Sequence, residues 1–199
     1  TTPSGTPGPT GTATTTATAT QSPTLTSTVN PTNTPPGSLD SRVAASSDDA
    51  EESAGGGVSL TSSDLELVFD RNNQTVSLRF NGINIPQGTD ILAAYIQFRT
   101  DEVSVDPASL TIEGQASDNA PTFATTDHNI SSRPRTAASA SWSPPPWAVV
   151  GETGPGQRTP DLSAVIQEIV GRPGWAYGNA LAIVSRSAGA VSDSSSRRR

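Results

Sequence analysis

From Leu65 onward, hydrophobic residues recur at every second position in short runs cut by Gly, Pro, Asn and Asp, and this two-residue period constrains the fold more than any other feature. Successive side chains of a strand point to opposite faces, so each run reads as a strand with one buried face. Leu65, Leu67 and Phe69 alternate with Asp64, Glu66 and Asp70, and Val76, Leu78 and Phe80 alternate with Ser77, Arg79 and Asn81. In Ile91 to Arg99, Leu92, Ala94, Ile96 and Phe98 share a face opposite Ala93, Tyr95 and Gln97, the pattern of a central strand. Leu110 with Ile112, then Ala138, Ala140 and Trp142, continue the alternation, and Ala180 to Val184 adds an apolar strand. Strands separated mainly by turns predict an all-β fold, an antiparallel, jelly-roll-like β-sandwich.

One stretch has the helical period instead. Leu162, Val165, Ile166, Ile169 and Val170 form an apolar stripe, with Thr159 as expected N-cap, Pro160 in the first turn and Gly171 and Pro173 as the stop. A helix over 160–170 is expected to cover one end or edge of the sandwich.

Residues 1–39 are different in kind. Up to Ser38 they are nearly all Thr, Pro, Ser, Ala and Gly, uncharged, with Leu25 and Val29 as the sizeable hydrophobes. Such a segment lacks the apolar surface to offset an ordering entropy of about 1–2 kcal/mol per residue, so a disordered, extended stalk is expected, with a composition typical of O-glycosylated spacers. The folded module is placed at 40–184, followed by a disordered Ser/Arg-rich tail over 185–199.

Charge and composition exclude several functions. The net charge is -7, the twelve basic residues are all Arg, and there is no Cys. An acidic chain without a basic patch is repelled by phosphate backbones, which argues against nucleic acid. Absent cysteines remove thiol catalysis and Cys-ligated metals, and no apolar run is long enough to span a membrane. His128 is the single histidine and lies in a polar loop, without a Gly-x-Ser-x-Gly elbow anywhere in the chain. With no Lys and no phosphate-binding Gly-rich loop, a non-catalytic module is expected, with a structural or adhesive module as the alternative and a glycosidase using paired carboxylates as the lesser one.

The acidic clusters suit a hard cation. Asp48, Asp49, Glu51 and Glu52 form one candidate calcium site and Asp101, Glu102 and Asp106 a second at a strand end, because calcium takes six to eight oxygens from loops flanking strands. A solvated acidic loop is the other reading of the same residues. Among the aromatics, Trp142 and Trp175 fit the core. Trp147, after three prolines, together with Tyr177, is the candidate platform for stacking on a sugar ring, with closure of the sandwich as the other role for Trp147.

Taken together, Ser46 to Glu52, Leu78-Arg79-Phe80, Ile85-Pro86-Gln87-Gly88 leading into Ala94-Tyr95-Ile96-Gln97-Phe98, Gln157 to Leu162 and Gly174-Trp175 resemble the jelly-roll accessory modules of secreted bacterial proteins, of the DNRLRE and carbohydrate-binding-module type. The resemblance spans residues 42–184. It implies a secreted or cell-surface bacterial location, attachment to polysaccharide or a cell-surface component, and a structural calcium ion. It also implies closing strands after Val184, where this sequence turns Ser/Arg-rich, so an unpaired edge open to another chain is expected beside 181–184.

Overall fold

The computed structural model describes residues 37–189 together with Thr1 and Arg198. The expected stalk therefore lies almost wholly outside the described residues. From Leu39 on, the described residues form one compact unit.

The all-β antiparallel fold with one short helix is present. Strands β1 (Asp49–Ser53), β2 (Val58–Ser59), β3 (Phe69–Asp70), β4 (Asn72–Phe80), β5 (Leu110–Gln115), β6 (Arg135–Trp142) and β7 (Leu181–Ser187) are joined by helix α1 (Ser163–Val170) between β6 and β7. Six strands run in the order β2-β1-β4-β7-β5-β6, all antiparallel, and β3 folds back on β4. Among the described residues the second layer is not another such sheet. It is made of α1 and of extended segments that pair through isolated bridges.

Both faces of the central strands are covered. On one face Leu67, Val76, Leu110, Ile112, Trp142, Trp147 and the α1 stripe of Leu162, Val165, Ile166, Ile169 and Val170 make the main core. On the other, Ala50, Ala120, Phe123, Ile130, Ala182 and Val184 make a smaller one. This accounts for Ala180 to Val184 reading as continuously apolar, since β7 is buried on both sides.

Several expectations change. The last strand does not leave an open neighbour, because β7 is paired on both sides, Ser77 with Val184 on β4 and Glu113 with Val184 on β5. It also runs three residues past Val184, into the expected disordered tail. The run at Leu65–Phe69 yields only β3, since Val68 and Arg71 take φ of 70° and 58°, a left-handed geometry that breaks a ladder.

The expected central strand over 91–99 is extended but joins no ladder, apart from one bridge between Gln97 and Arg158. Three of its amides are taken by side chains, while the Phe98 N–H donates to the Gln157 carbonyl at 2.8 Å. Ile91 N–H donates to Gln167 Oε1 at 2.8 Å, Ala94 N–H to Asp161 Oδ1 at 3.0 Å and Ile96 N–H to Thr159 Oγ1 at 3.0 Å. That use of Thr159 also moves the helix start. Asp161, and not Thr159, accepts from the Ser163 N–H at 3.0 Å and hydroxyl at 2.6 Å, and the helix begins at Ser163.

Helix α1 is anchored to β6 at a register shift. Ser139 faces Glu113 and Arg135 faces Gln115, so Thr136, Ala137 and Ala138 all lie opposite Gly114. A bulge frees backbone groups from the ladder. Here the Glu168 carboxylate accepts from the Ala137 and Ala138 N–H groups at 2.9 and 2.8 Å. Gly114 is needed for the close approach, since a Cβ there would stand 2.7 Å from Ile169 Cδ1. Glu168→Ala should therefore cost about 1–3 kcal/mol, the cost of stranding such donors, read as a lower urea midpoint at unchanged m-value. An unchanged midpoint would remove this anchor from the account.

Candidate functional site

The first acidic stretch is not a loop. Asp49 to Ser53 are strand β1, and the alternation of that strand sends its carboxylates to different places. Asp48, just before it, is buried and pairs with Arg79, while Asn81 Nδ2 donates to its other oxygen at 2.6 Å. Glu52 Oε2 accepts from the Ile130 and Ser131 N–H groups at 2.7 and 2.9 Å. Glu51 turns to the other face, where its Oε1 accepts the Glu66 N–H at 2.7 Å. Burial, followed by a hydrogen bond to the Glu66 side chain, pushes the Glu51 carboxyl up to about 8. Asp48, Glu51 and Glu52 are thus held by protein donors, on a strand and the residue before it and not on the expected loop. Burial also raises Asp49.

Asp101 and Glu102 lie exposed at a bend, and no strand ends there because residues 91–99 join no ladder. Asp49 and Asp101, from the two expected clusters, do line the same recess, but they do not gather into a metal centre. Among the described residues no group of three or more His, Asp or Glu is placed to hold a metal ion.

Trp147 is buried, with 1% of its surface exposed, which corrects its reading as an open platform and agrees with its role in closing the core. Its Nε1 donates to the Gly156 carbonyl at 3.0 Å. Its ring lies 6.2 Å from Phe98 and 6.3 Å from Trp142, and Phe98 stacks on Trp142 at 5.8 Å. Tyr177 is 65% exposed and lies outside the recess that Trp147 lines, so the two do not form one surface. Trp175 is core, as expected, with Nε1 on the Ile85 carbonyl.

The recess measures about 290 Å³. Leu65, Leu67, Phe98 and Trp147 supply its apolar part, and Asp49, Ser62, Ser63, Asp64, Arg99 and Asp101 its polar part. Sequence reasoning named three of these residues, Asp49, Asp101 and Trp147, but assigned them to separate sites. Arg99 and the Ser62–Asp64 turn were missed, and only the last residue of the Ala94–Phe98 face pointed toward them.

His128 occupies a second recess with Glu52 and Ser131. Its Nδ1 is 3.3 Å from Ser131 Oγ and 3.9 Å from Glu52 Oε1. Both partners meet the same ring nitrogen, whereas a nucleophile–base–acid relay uses the two nitrogens separately. His128 has φ of 59° and packs over Gly56, where a Cβ would fall 2.4 Å from the ring.

No family model, curated protein or solved structure matches the chain.

Proposed function

We propose that the folded part is a non-catalytic binding module of a secreted or surface-attached bacterial protein, and that the recess beside Trp147 takes a sugar unit of a polysaccharide. The supporting observation is the lining: the half-buried Leu65 and Phe98, backed by the buried Leu67 and Trp147, bordered by three carboxylates, two serines and a guanidinium. Apolar surface suits the C–H face of a sugar, and carboxylates and Arg99 suit its hydroxyls through charge-assisted hydrogen bonds. The shared use of one His128 nitrogen by Ser131 and Glu52 supports the non-catalytic reading.

A glycan array on the full chain, followed by calorimetric titration of any hit, tests this reading. Arg99→Ala and Asp101→Ala are the informative variants, because both side chains are exposed and the core does not depend on them. Each should weaken binding about tenfold, the equivalent of about 1.4 kcal/mol. Trp147→Ala would open the core and would not discriminate. An array without signal, or variants that bind like the parent, would overturn it.

A structural or adhesive module is the second reading, and one feature favours it. Residues 100–105 and 147–152 pair through Ser104 and Trp147, and this ribbon carries Val103, Val105, Val149 and Val150, each more than half exposed. Exposed apolar groups gathered on one ribbon mark an interaction surface.

A further inference from the structure

Arg198 is fully buried. Its Nε donates to the Pro145 carbonyl at 3.0 Å, Nη1 to the Asp106 carbonyl at 2.6 Å and Nη2 to the Pro144 carbonyl at 3.1 Å. All three guanidinium nitrogens are engaged, while burial lowers the Arg198 pKa and the Asp106 charge opposes that shift only in part. The Arg198 backbone carbonyl accepts the Leu67 N–H at 2.8 Å in an isolated antiparallel bridge.

The chain around the acceptors is held in part by contacts that do not involve Arg198. Proline fixes φ at 144 and 145. Ser104 and Trp147 exchange both backbone hydrogen bonds, at 2.9 and 2.8 Å, which ties the segment before Asp106 to the segment after Pro145. Three main-chain oxygens are thereby aimed at one point, a geometry that a planar, five-donor guanidinium matches and a compact ammonium does not. Main-chain acceptors read the arginine head, and a single bridge to Leu67 reads an extended backbone, the combination used in strand addition.

We propose that this carbonyl cradle is an arginine-binding site for an extended peptide segment, and that Arg198 occupies it as an exchangeable ligand. An arginine-bearing segment supplied from outside takes the same place once Arg198 is removed. The proposal is independent of sugar binding, and its readout involves no glycan.

The test uses the full chain carrying Arg198→Ala, and the amidated peptide Ser-Ser-Arg-Arg-Arg, which reproduces residues 195–199. The substitution should lower the thermal midpoint by several degrees, and millimolar peptide should restore it. By calorimetry the variant should bind this peptide at least tenfold more tightly than Ser-Ser-Arg-Lys-Arg, which has equal charge, and tenfold more tightly than the parent chain does. Should Arg198→Ala fail to fold, Arg198→Lys serves with the same peptides. An unchanged midpoint would show the cradle unoccupied and overturn the proposal. So would a lowered midpoint that peptide does not restore, which marks a fixed structural contact, or equal binding of the two peptides, which marks general attraction to an acidic chain.

Discussion

Replacing Arg133 with methionine should lower the unfolding free energy by about 3–5 kcal/mol, at the upper end of what single substitutions do. The residue is buried beneath the smaller of the two cores. Its Nε donates to the Asn129 carbonyl, Nη1 to Gln115 Oε1 and the Pro121 carbonyl, and Nη2 to the Thr122 carbonyl and Asn129 Oδ1, all between 2.8 and 2.9 Å. The guanidinium also lies 4.3 Å from the centre of the Phe123 ring. The segment over 116–134 has no strand among its residues, so this fork replaces the ladder that would otherwise hold it on the sheet. Methionine fills similar space but strands the acceptors, and each buried orphan costs about 1–3 kcal/mol. Arg133→Lys should recover less than half of the loss, because three donors on one nitrogen cannot span the fork. Guanidinium chloride unfolding of the two variants measures both effects. A loss below about 1 kcal/mol for methionine would mean that Ala120, Phe123 and Ile130 hold the segment by apolar contact alone.

Much of the sheet is legible because its signal is local. The alternation in Val76–Phe80, Leu110–Ile112 and Ala138–Trp142 needs only the period of a strand, and these segments became β4, β5 and β6. The α1 stripe is equally local. The misreadings have a common cause, which is competition from side chains distant in sequence. Residues 91–99 have the strand period, yet Thr159, Asp161 and Gln167 take three of their amides, and nothing within the segment announces those partners. The Asp48–Glu52 run has the charge density of a cation loop, but two of its carboxylates meet Arg79 and the Ile130–Ser131 backbone from far along the chain. The recess is hidden for the same reason, because Asp49, Asp64, Arg99 and Trp147 come from four separate stretches. Trp147 is the instructive case. Three prolines before it suggest a displayed ring, but they also lead the chain back into Phe98 and Trp142, and aromatic contact decides the outcome.

Stability should fall as pH rises from about 5 to about 8, against the usual expectation for a chain whose carboxylates are ion-paired. The cause is Glu51, whose carboxyl is lifted from 4.5 to about 8 by burial and then by its hydrogen bond to the Glu66 side chain. Below pH 4.5 the group is protonated both folded and unfolded, and its contribution is fully present. Between 4.5 and 8 the folded chain holds a proton that the unfolded chain has released, so each rise in pH favours unfolding. Above 8 the folded state carries the buried charge, and the contribution is gone. One pH unit of such a difference is worth about 1.4 kcal/mol. Allowing for solvent screening at the carboxyl's exposed side, the loss should be on the order of 2–3 kcal/mol across the window. Asp49, also raised by burial, acts in the same direction at lower pH, whereas the exposed Asp161 is lowered through its Ser163 hydrogen bonds and titrates below the window. Glu51→Gln isolates the effect, because the amide keeps the shape, donates to Glu66 and never ionises. Urea unfolding at pH 5, 6.5 and 8 should show the parent losing stability while the variant stays nearly level, with the two curves crossing so that the variant is the more stable at pH 8. If the parent and the variant instead keep the same slope, Glu51 is not the group that holds the proton through this window.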